Sequence, residues 1–219
     1  MREKVISVHA LNSLKWIPII ILIFFNVEGC EKWKYTQFSF TSLEFPFEGS
    51  SAIERLAGFG IPNWSDTEPH NGIDLILYEH LTSAALMSPA QGTMRKIDVR
   101  ENPYSNPEGQ LILSIEIYVN KEYSVFLVIE PGTVDDILRS DQMDALLVKE
   151  GQIIERGEVI GNLLVGELGY PHLHLMMNEG DKCVCAYLYS SPTAKQIFDE
   201  IIANRESNTL NNGNICGEL

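Results

Sequence analysis

Basic residues are scarce in this chain, and the charge balance argues against whole classes of partner. The 219 residues include 16 Lys and Arg against 30 Asp and Glu, which gives a formal net charge of -14 at pH 7. Nucleic-acid binding needs clustered basic side chains that displace counterions from the phosphate backbone. We therefore expect no nucleic-acid partner and no electrostatic attraction to anionic lipid.

The N-terminal apolar run is too short to span a bilayer. It covers residues 17–25, whereas a spanning helix needs about 20 apolar residues and the apolar part of an export signal about 7–15. The following Val-Glu-Gly-Cys, residues 27–30, resembles the bacterial lipoprotein signal, in which the cysteine is lipidated, although Glu28 departs from that pattern. We predict an export or lipoprotein signal over residues 1–29 and lipidation of Cys30. The protein is then expected in the cell envelope or periplasm, with soluble export and an uncleaved anchor as alternatives.

Cysteine is also scarce, with four in the chain. Lipidation of Cys30 would leave three, and an odd number leaves one thiol over. In an oxidising compartment Cys216 could bridge to Cys183 or Cys185, which would fix an otherwise loose C-terminal tail, residues 206–219. A Cys-x-Cys metal site is the weaker alternative, because two thiolates supply only half of a tetrahedral zinc site. A third alternative is that these cysteines are free thiols.

Short β-rich segments with turn signals between them dominate the middle of the chain. Strand-like patterns occur at five places: Ile73–Leu77, 94–99, 111–119, 124–129 and 173–177. The loop 120–122 predicts an antiparallel hairpin. Residues 135–146 lack strand alternation and are expected to form a short helix or an acidic loop. Ser191 and Pro192 predict the start of a C-terminal helix with an apolar stripe.

Only five histidines occur, and three of them fall into two informative segments. In the His-Leu-His segment at 172–174, alternation along a strand points both imidazoles to the same face. In the His-Asn-Gly-Ile-Asp segment at 70–74, the even spacing does the same for His70 and Asp74. A lone His-x-His is a weak signal. Together, however, two histidines and an aspartate suit zinc and leave a fourth position for water.

These segments, with two glycine-bearing ones, resemble the lysostaphin-like (LytM-type) zinc endopeptidases, which cut peptides of bacterial peptidoglycan. The resemblance covers residues 58–180, and four segments match in the same order: 70–75, 88–94, 148–161 (a glycine-marked hairpin) and 171–175. It implies a mainly β fold, an antiparallel two-sheet β-sandwich built as a duplicated hybrid motif. It also implies roles for individual residues: zinc ligation by His70, Asp74 and His174, and catalysis by His172.

The resemblance also divides the chain into four predicted parts. They are the signal at 1–29, a lead-in segment at 30–57, the metallopeptidase domain at 58–190, and the C-terminal helix and tail at 191–219. Biotinyl and lipoyl carrier domains share such a turn-rich sandwich. They need an exposed lysine at a hairpin tip flanked by small residues or methionine, and no lysine has that setting, so we do not expect a carrier function.

One departure from the family concerns activity. Active members usually place a further histidine in a Tyr-x-His-Leu segment before the glycine-marked hairpin, but this chain has no histidine between His80 and His172. In this chain, we assign the place of the Tyr-x-His-Leu segment to residues 135–146. Loss of such a group typically costs ~10²–10⁴ in rate. The residues that could substitute are His80, Glu130, Asp141 and Asp144.

The function expected from these observations is that of an exported zinc-dependent metalloendopeptidase. Its substrate would be a peptide bond of cell-wall peptidoglycan or of an exported protein, and a lipid anchor at Cys30 would be its only membrane contact. The alternative is a catalytically degenerate member that acts as a cell-wall binding module or activates another hydrolase.

Overall fold

The computed structural model describes residues 35–62, 68–102 and 107–218. The predicted signal at 1–29 and the predicted lipidation site Cys30 lie outside the described residues, so both stay predictions. Within the described ranges, no helix has the length and apolar character needed to cross a membrane.

The described residues form ten strands in two sheets. The strands are β1 (Ile53–Ala57), β2 (Ile73–Leu77), β3 (Ser83–Met87), β4 (Gly92–Glu101), β5 (Leu111–Tyr118), β6 (Tyr123–Glu130), β7 (Ile153–Ile154), β8 (Val159–Leu164), β9 (His172–Glu179) and β10 (Lys182–Val184). The large sheet has the order β1-β2-β9-β6-β5-β4-β7, with β10 beside β9, and β3 and β8 form the second. These strands all pair antiparallel, and the predicted mainly β fold class is confirmed.

Two α-helices follow the expected capping rules. Helix α1 (Asp136–Asp144) begins after Asp135, whose carboxylate accepts from the Ile137 amide. The ambiguous segment 135–146 therefore contains a helix. Helix α2 (Pro192–Asn204) begins after Ser191, whose hydroxyl accepts from the Ala194 amide. A capping side chain satisfies an amide that has no partner in the first turn, and proline suits that turn.

The glycine-bearing segment 148–161 is not the self-paired hairpin that the sequence predicted. Its strands join different sheets, since β7 pairs with β4 and β8 pairs with β3. Gly151 and Gly157, at φ 81° and 80°, form the two turns of the segment, where left-handed φ favours glycine. The turns were visible in the sequence, but the pairing depends on distant strands.

The lead-in segment packs into the same core as the sheet. Residues 38–47 form no named strand and make one isolated bridge, between Leu43 and Ser190. Phe45 and Phe47 are each 3% exposed. The Phe45 ring lies 5.0 Å from that of Phe198 on α2, edge to face, an arrangement that aromatic pairs favour.

Alternation along the central strands separates the core from the candidate site. Nine residues of odd number in the middle of β5, β6 and β9 point into the core and are at most 1% exposed: Leu113, Ile115, Ile117, Val125, Leu127, Ile129, Leu173, Leu175 and Met177. Each such buried side chain contributes about 1.5–3 kcal/mol. Residues of even number point to the opposite face, where Glu130, His172 and His174 lie. Core packing thereby fixes the direction of the site residues.

Candidate metal centre

Three side chains predicted as metal ligands come together where β2 pairs with β9. Asp74 in β2 lies directly opposite His174 in β9, and His70 lies in the loop that enters β2. Asp74 Oδ1 is 3.2 Å from His70 Nε2 and 2.6 Å from His174 Nδ1. The two histidine nitrogens are 3.2 Å apart.

These separations fit a tetrahedral metal. With zinc–ligand bonds of about 2.0–2.1 Å, neighbouring ligand atoms of a tetrahedron lie about 3.3 Å apart. Two of the three separations match this value, and the shorter contact between Asp74 and His174 is a hydrogen bond. Two nitrogens and one carboxylate oxygen are also donors that suit zinc.

His70 is held by the backbone on the side away from the other ligands. Its side chain is 2% exposed, and Nδ1 lies 2.6 Å from the Gly58 carbonyl oxygen. Since a carbonyl only accepts, Nδ1 carries the proton and Nε2 keeps its lone pair for a metal. Metal-ligating histidines are commonly oriented by such a bond from the second ring nitrogen.

Gly72 is required by the close approach of the His174 ring. A Cβ at Gly72 would lie 2.5 Å from both Cε1 and Nε2 of that ring, well inside normal van der Waals contact. The glycine between His70 and Asp74 therefore makes room for a ligand that lies a hundred residues later in the chain.

The Asp74 carboxyl is ionised although it is 5% exposed. Burial raises its pKa, but the charges of His174 and His172 and the hydrogen bond from His174 outweigh burial and hold the pKa far below its ordinary value. A metal ligand must be deprotonated, so Asp74 meets that requirement without further change.

His172, the predicted catalytic residue, lies beside the ligands and faces two acceptors. Its Nε2 is 3.5 Å from Glu130 Oε1, and its Nδ1 is 2.9 Å from the carbonyl oxygen of Tyr170, a residue with a left-handed φ of 56°. Burial lowers the pKa of His172, but the carboxylates of Asp74 and Glu130 and the Tyr170 carbonyl raise it to about 9. The geometry therefore favours the imidazolium form.

Glu130 is the residue that the structure places next to His172. The two residues are direct partners in the β6–β9 pairing, and Glu130 Oε2 accepts from Asn102 Nδ2 at 2.8 Å. Burial raises the pKa of Glu130, but the hydrogen bond and charge of His172 outweigh it, so the net shift is downward. The structure thus puts an ionised carboxylate beside His172, and the assignment of the missing histidine's place to residues 135–146 stays a prediction.

The other residues named as possible substitutes for the missing histidine lie elsewhere. Asp141 and Asp144 are exposed on α1. His80 is exposed in the turn after β2, with its ring 5.2 Å from that of Tyr78. Asn102, which donates a hydrogen bond to Glu130, was not predicted from the sequence, because only the strand order brings it next to Glu130.

No protein-family model matches this chain, and neither does any curated protein. Solved structures do match. A zinc-containing peptidase from Vibrio cholerae has 26% identity and a TM-score of 0.43 and covers 66% of this chain. Helicobacter pylori Csd3 has 21% identity, a TM-score of 0.44 and 75% coverage. A mutant catalytic domain of the prophage-encoded M23 protein EnpA from Enterococcus faecalis has 17% identity, a TM-score of 0.42 and 67% coverage.

The matched structures differ in how much of their own length is shared. The chain spans 39% of the Vibrio protein and 40% of Csd3, but 98% of the EnpA domain. In the content and order of its motifs this chain resembles the LytM-type peptidases, and the matched solved structures include an M23 protein.

Proposed function

We propose that this protein is an exported zinc-dependent metalloendopeptidase that hydrolyses peptide bonds, with cell-wall peptidoglycan as its substrate. The observation that carries the proposal is the cluster of His70 Nε2, Asp74 Oδ1 and His174 Nδ1, whose separations and donor types fit zinc. Three protein ligands leave a fourth tetrahedral position for water or substrate, as a catalytic centre requires.

The residues of this chain have distinct roles in the proposal. His70, Asp74 and His174 hold the zinc, which when bound supplies Lewis acidity toward a carbonyl and lowers the pKa of water. The His172 imidazolium would donate a hydrogen bond to the oxyanion that develops on the attacked carbonyl and then a proton to the leaving amine, and it would regain a proton from the attacking water. Glu130 orients His172 and favours its charged form.

The proposed location outside the cytoplasm rests on two features. The first 29 residues have the composition of an export signal, followed by Cys30 in a lipoprotein-like context. The described part of the chain contains a disulfide between Cys185 and Cys216, and disulfides persist mainly in oxidising compartments. Both features support a lipid-anchored or secreted protein of the cell envelope.

A second candidate function, a binding or hydrolase-activating module, is favoured by Glu130. A carboxylate can donate a hydrogen bond to an oxyanion only when protonated, and the lowered pKa of Glu130 keeps it ionised. If Glu130 cannot replace the second histidine of active family members, the domain would bind zinc and peptide without cleaving it.

Zinc content and peptidoglycan release together separate the two functions. We would measure zinc in the purified chain by elemental analysis, for wild type, His174→Ala and the matched control His80→Ala. Release of soluble fragments from peptidoglycan would be followed with and without chelator. The hydrolase predicts one zinc per chain, lost in His174→Ala and kept in His80→Ala, and release that stops with chelator.

The other outcomes are equally informative. Zinc without release would favour the binding module. A wild-type chain that takes up no zinc would refute the metal centre and the hydrolase that depends on it.

A further inference from the structure

The C-terminal tail is bound to the segment that holds His70. The Gly58 amide donates to Thr209 O at 2.9 Å, and the Phe59 amide donates to Ile215 O at 2.8 Å. In return, the Gly217 amide donates to Phe59 O at 2.8 Å. The tail was expected to be loose unless Cys216 fixed it, and the structure shows it fixed.

The same short segment faces His70 on its other side. Gly58 supplies the carbonyl that accepts from His70 Nδ1, and the Gly60 amide donates to His70 O at 2.7 Å. Gly60 O in turn accepts from the side chain of Asn211 in the tail at 2.6 Å. Residues 58–60 therefore connect the tail to a metal ligand through a continuous set of hydrogen bonds.

Glycine is needed where tail and segment touch. A Cβ at Gly58 would lie 2.7 Å from Ile215 O, and one at Gly60 would lie 2.6 Å from the Gly217 carbonyl carbon. Gly60 also has φ 72°, a conformation that favours glycine. The contact is thus closer than any other residue type would allow.

A disulfide anchors the tail at this contact. Cys216 lies between Ile215 and Gly217, which both bond to Phe59, and it is bridged to Cys185. Cys185 follows β10, whose partner strand β9 carries His174. The bridge therefore ties the segment behind His70 to the strands that carry another ligand. Cys183, by contrast, is a free thiol, with Sγ 2.9 Å from Asn71 O.

We propose that the disulfide-anchored tail is a positioning segment of the metal centre. It holds the Gly58 carbonyl against His70 Nδ1, which fixes the tautomer and direction of the ring so that Nε2 faces the metal. The proposal rests on the zinc site proposed above. Loss of such an orienting partner typically weakens metal binding about 10–100-fold, and we expect that loss when the tail is released.

Release of the tail by reduction makes metal affinity sensitive to redox conditions. An external dithiol would transfer two electrons to the Cys185–Cys216 bond. Two protons pass to the cysteine sulfurs, which become thiols, while the dithiol becomes its own disulfide. The hydrogen bonds of residues 58–60 to the tail then have no covalent anchor.

The test compares zinc affinity in the full chain with and without the bridge. The double variant Cys185→Ser, Cys216→Ser removes the bridge without adding a thiol ligand, and Cys183→Ser is the matched control. Zinc affinity is measured by competition with a chromogenic chelator. We expect the Kd to rise about 10–100-fold in the double variant and to stay within about twofold of wild type in the control.

The tautomer of His70 provides the readout that a general loss of stability would not change. Nitrogen NMR of the imidazole distinguishes a ring protonated only at Nδ1 from a mixture. We expect the single Nδ1–H form in the wild type and in Cys183→Ser, and a mixture in the double variant, at temperatures where circular dichroism shows each chain folded.

Each outcome decides the proposal. An unchanged Kd and a single tautomer in the folded double variant would overturn it, even if the melting temperature fell. If wild type binds no zinc, the proposed function fails but the tautomer comparison still tests the tail. If the double variant does not fold, Asn211→Ala removes the bond to Gly60 O, together with an exposed contact from Asn212, and is measured in the same way.

Discussion

His172 and Glu130 face each other across β6 and β9, with 3.5 Å between Nε2 and Oε1. The pair lies beside the three metal ligands on the face of the sheet opposite the core. The pair joins an imidazole to a carboxylate, so its protonation state decides whether the site can donate a proton or a hydrogen bond to a peptide carbonyl. Each of the two residues can be tested by substitution.

Glu130→Gln is expected to lower the pKa of His172. The Glu130 carboxylate is one of the groups that raise this pKa to about 9, so its neutralisation moves titration toward the ordinary value of 6.5. The measurement is an NMR titration of His172 in chain freed of metal by chelator. Glu179→Gln is the control, because Glu179 lies at the far end of β9, the strand that carries His172. An equal pKa of His172 in the two variants would contradict the pairing of His172 with Glu130.

The stability of the chelator-treated chain is expected to fall as the pH rises from 6.5 to 9. His172 has a folded pKa of about 9 against 6.5 when unperturbed. Its protonation therefore stabilises the fold fully below pH 6.5, and this contribution is lost through about pH 9. Urea unfolding should show a loss of roughly 1–3 kcal/mol. His172→Gln should flatten this dependence, and an unchanged slope in that variant would assign it to other groups.

Gly72→Ala is expected to weaken zinc binding by at least about 10–100-fold. The added Cβ would meet the His174 ring at 2.5 Å, so the ring must leave its position opposite Asp74. Gly49→Ala is the matched control, because Gly49 has an extended φ of 165° and no atom within 4 Å of the added Cβ. Chelator competition measures both, and equal affinities would show that His174 is not a ligand in its present rotamer.

His172→Gln is expected to lower kcat for peptide release by about 10²–10⁴ while zinc content stays at the wild-type level. His172 Nε2 points at Glu130 and not into the ligand cluster, so the substitution removes a proton donor without removing a ligand. The control His80→Gln should leave kcat unchanged. Loss of zinc in His172→Gln would instead make His172 a ligand.

Much of the sheet could be predicted because its central strands alternate clearly. Segments 111–119, 124–129 and 173–177 became β5, β6 and β9 within one or two residues. The pairing of β7 and β8 could not be predicted, since both are short and each takes its partner from a distant part of the chain. Local sequence specifies a turn, but the sheet that a strand joins is a tertiary property.

Some residues of the candidate site could likewise be predicted from the sequence, and others could not. Regular spacing made His70, Asp74, His172 and His174 visible in the sequence, and the structure brings them together. The Gly58 carbonyl and Asn102 have no sequence signal, because the fold alone brings them to the site. Cys216 indicated that the tail could be fixed, but nothing in the sequence placed it next to the segment behind His70. The sequence left Cys183 and Cys185 equal as partners for Cys216, and only the fold separates them.

The alternation of β9 makes the site sensitive to chain length more than to composition. Leu173 and Leu175 face the core while His172 and His174 face outward, and a shift of one residue exchanges the two faces of a strand. A single-residue deletion in β9 would therefore turn the histidines toward the apolar interior and the leucines toward the solvent. A substitution in β9 changes one outward side chain at a time. An insertion or deletion between the ends of the strand disrupts both the core and the site.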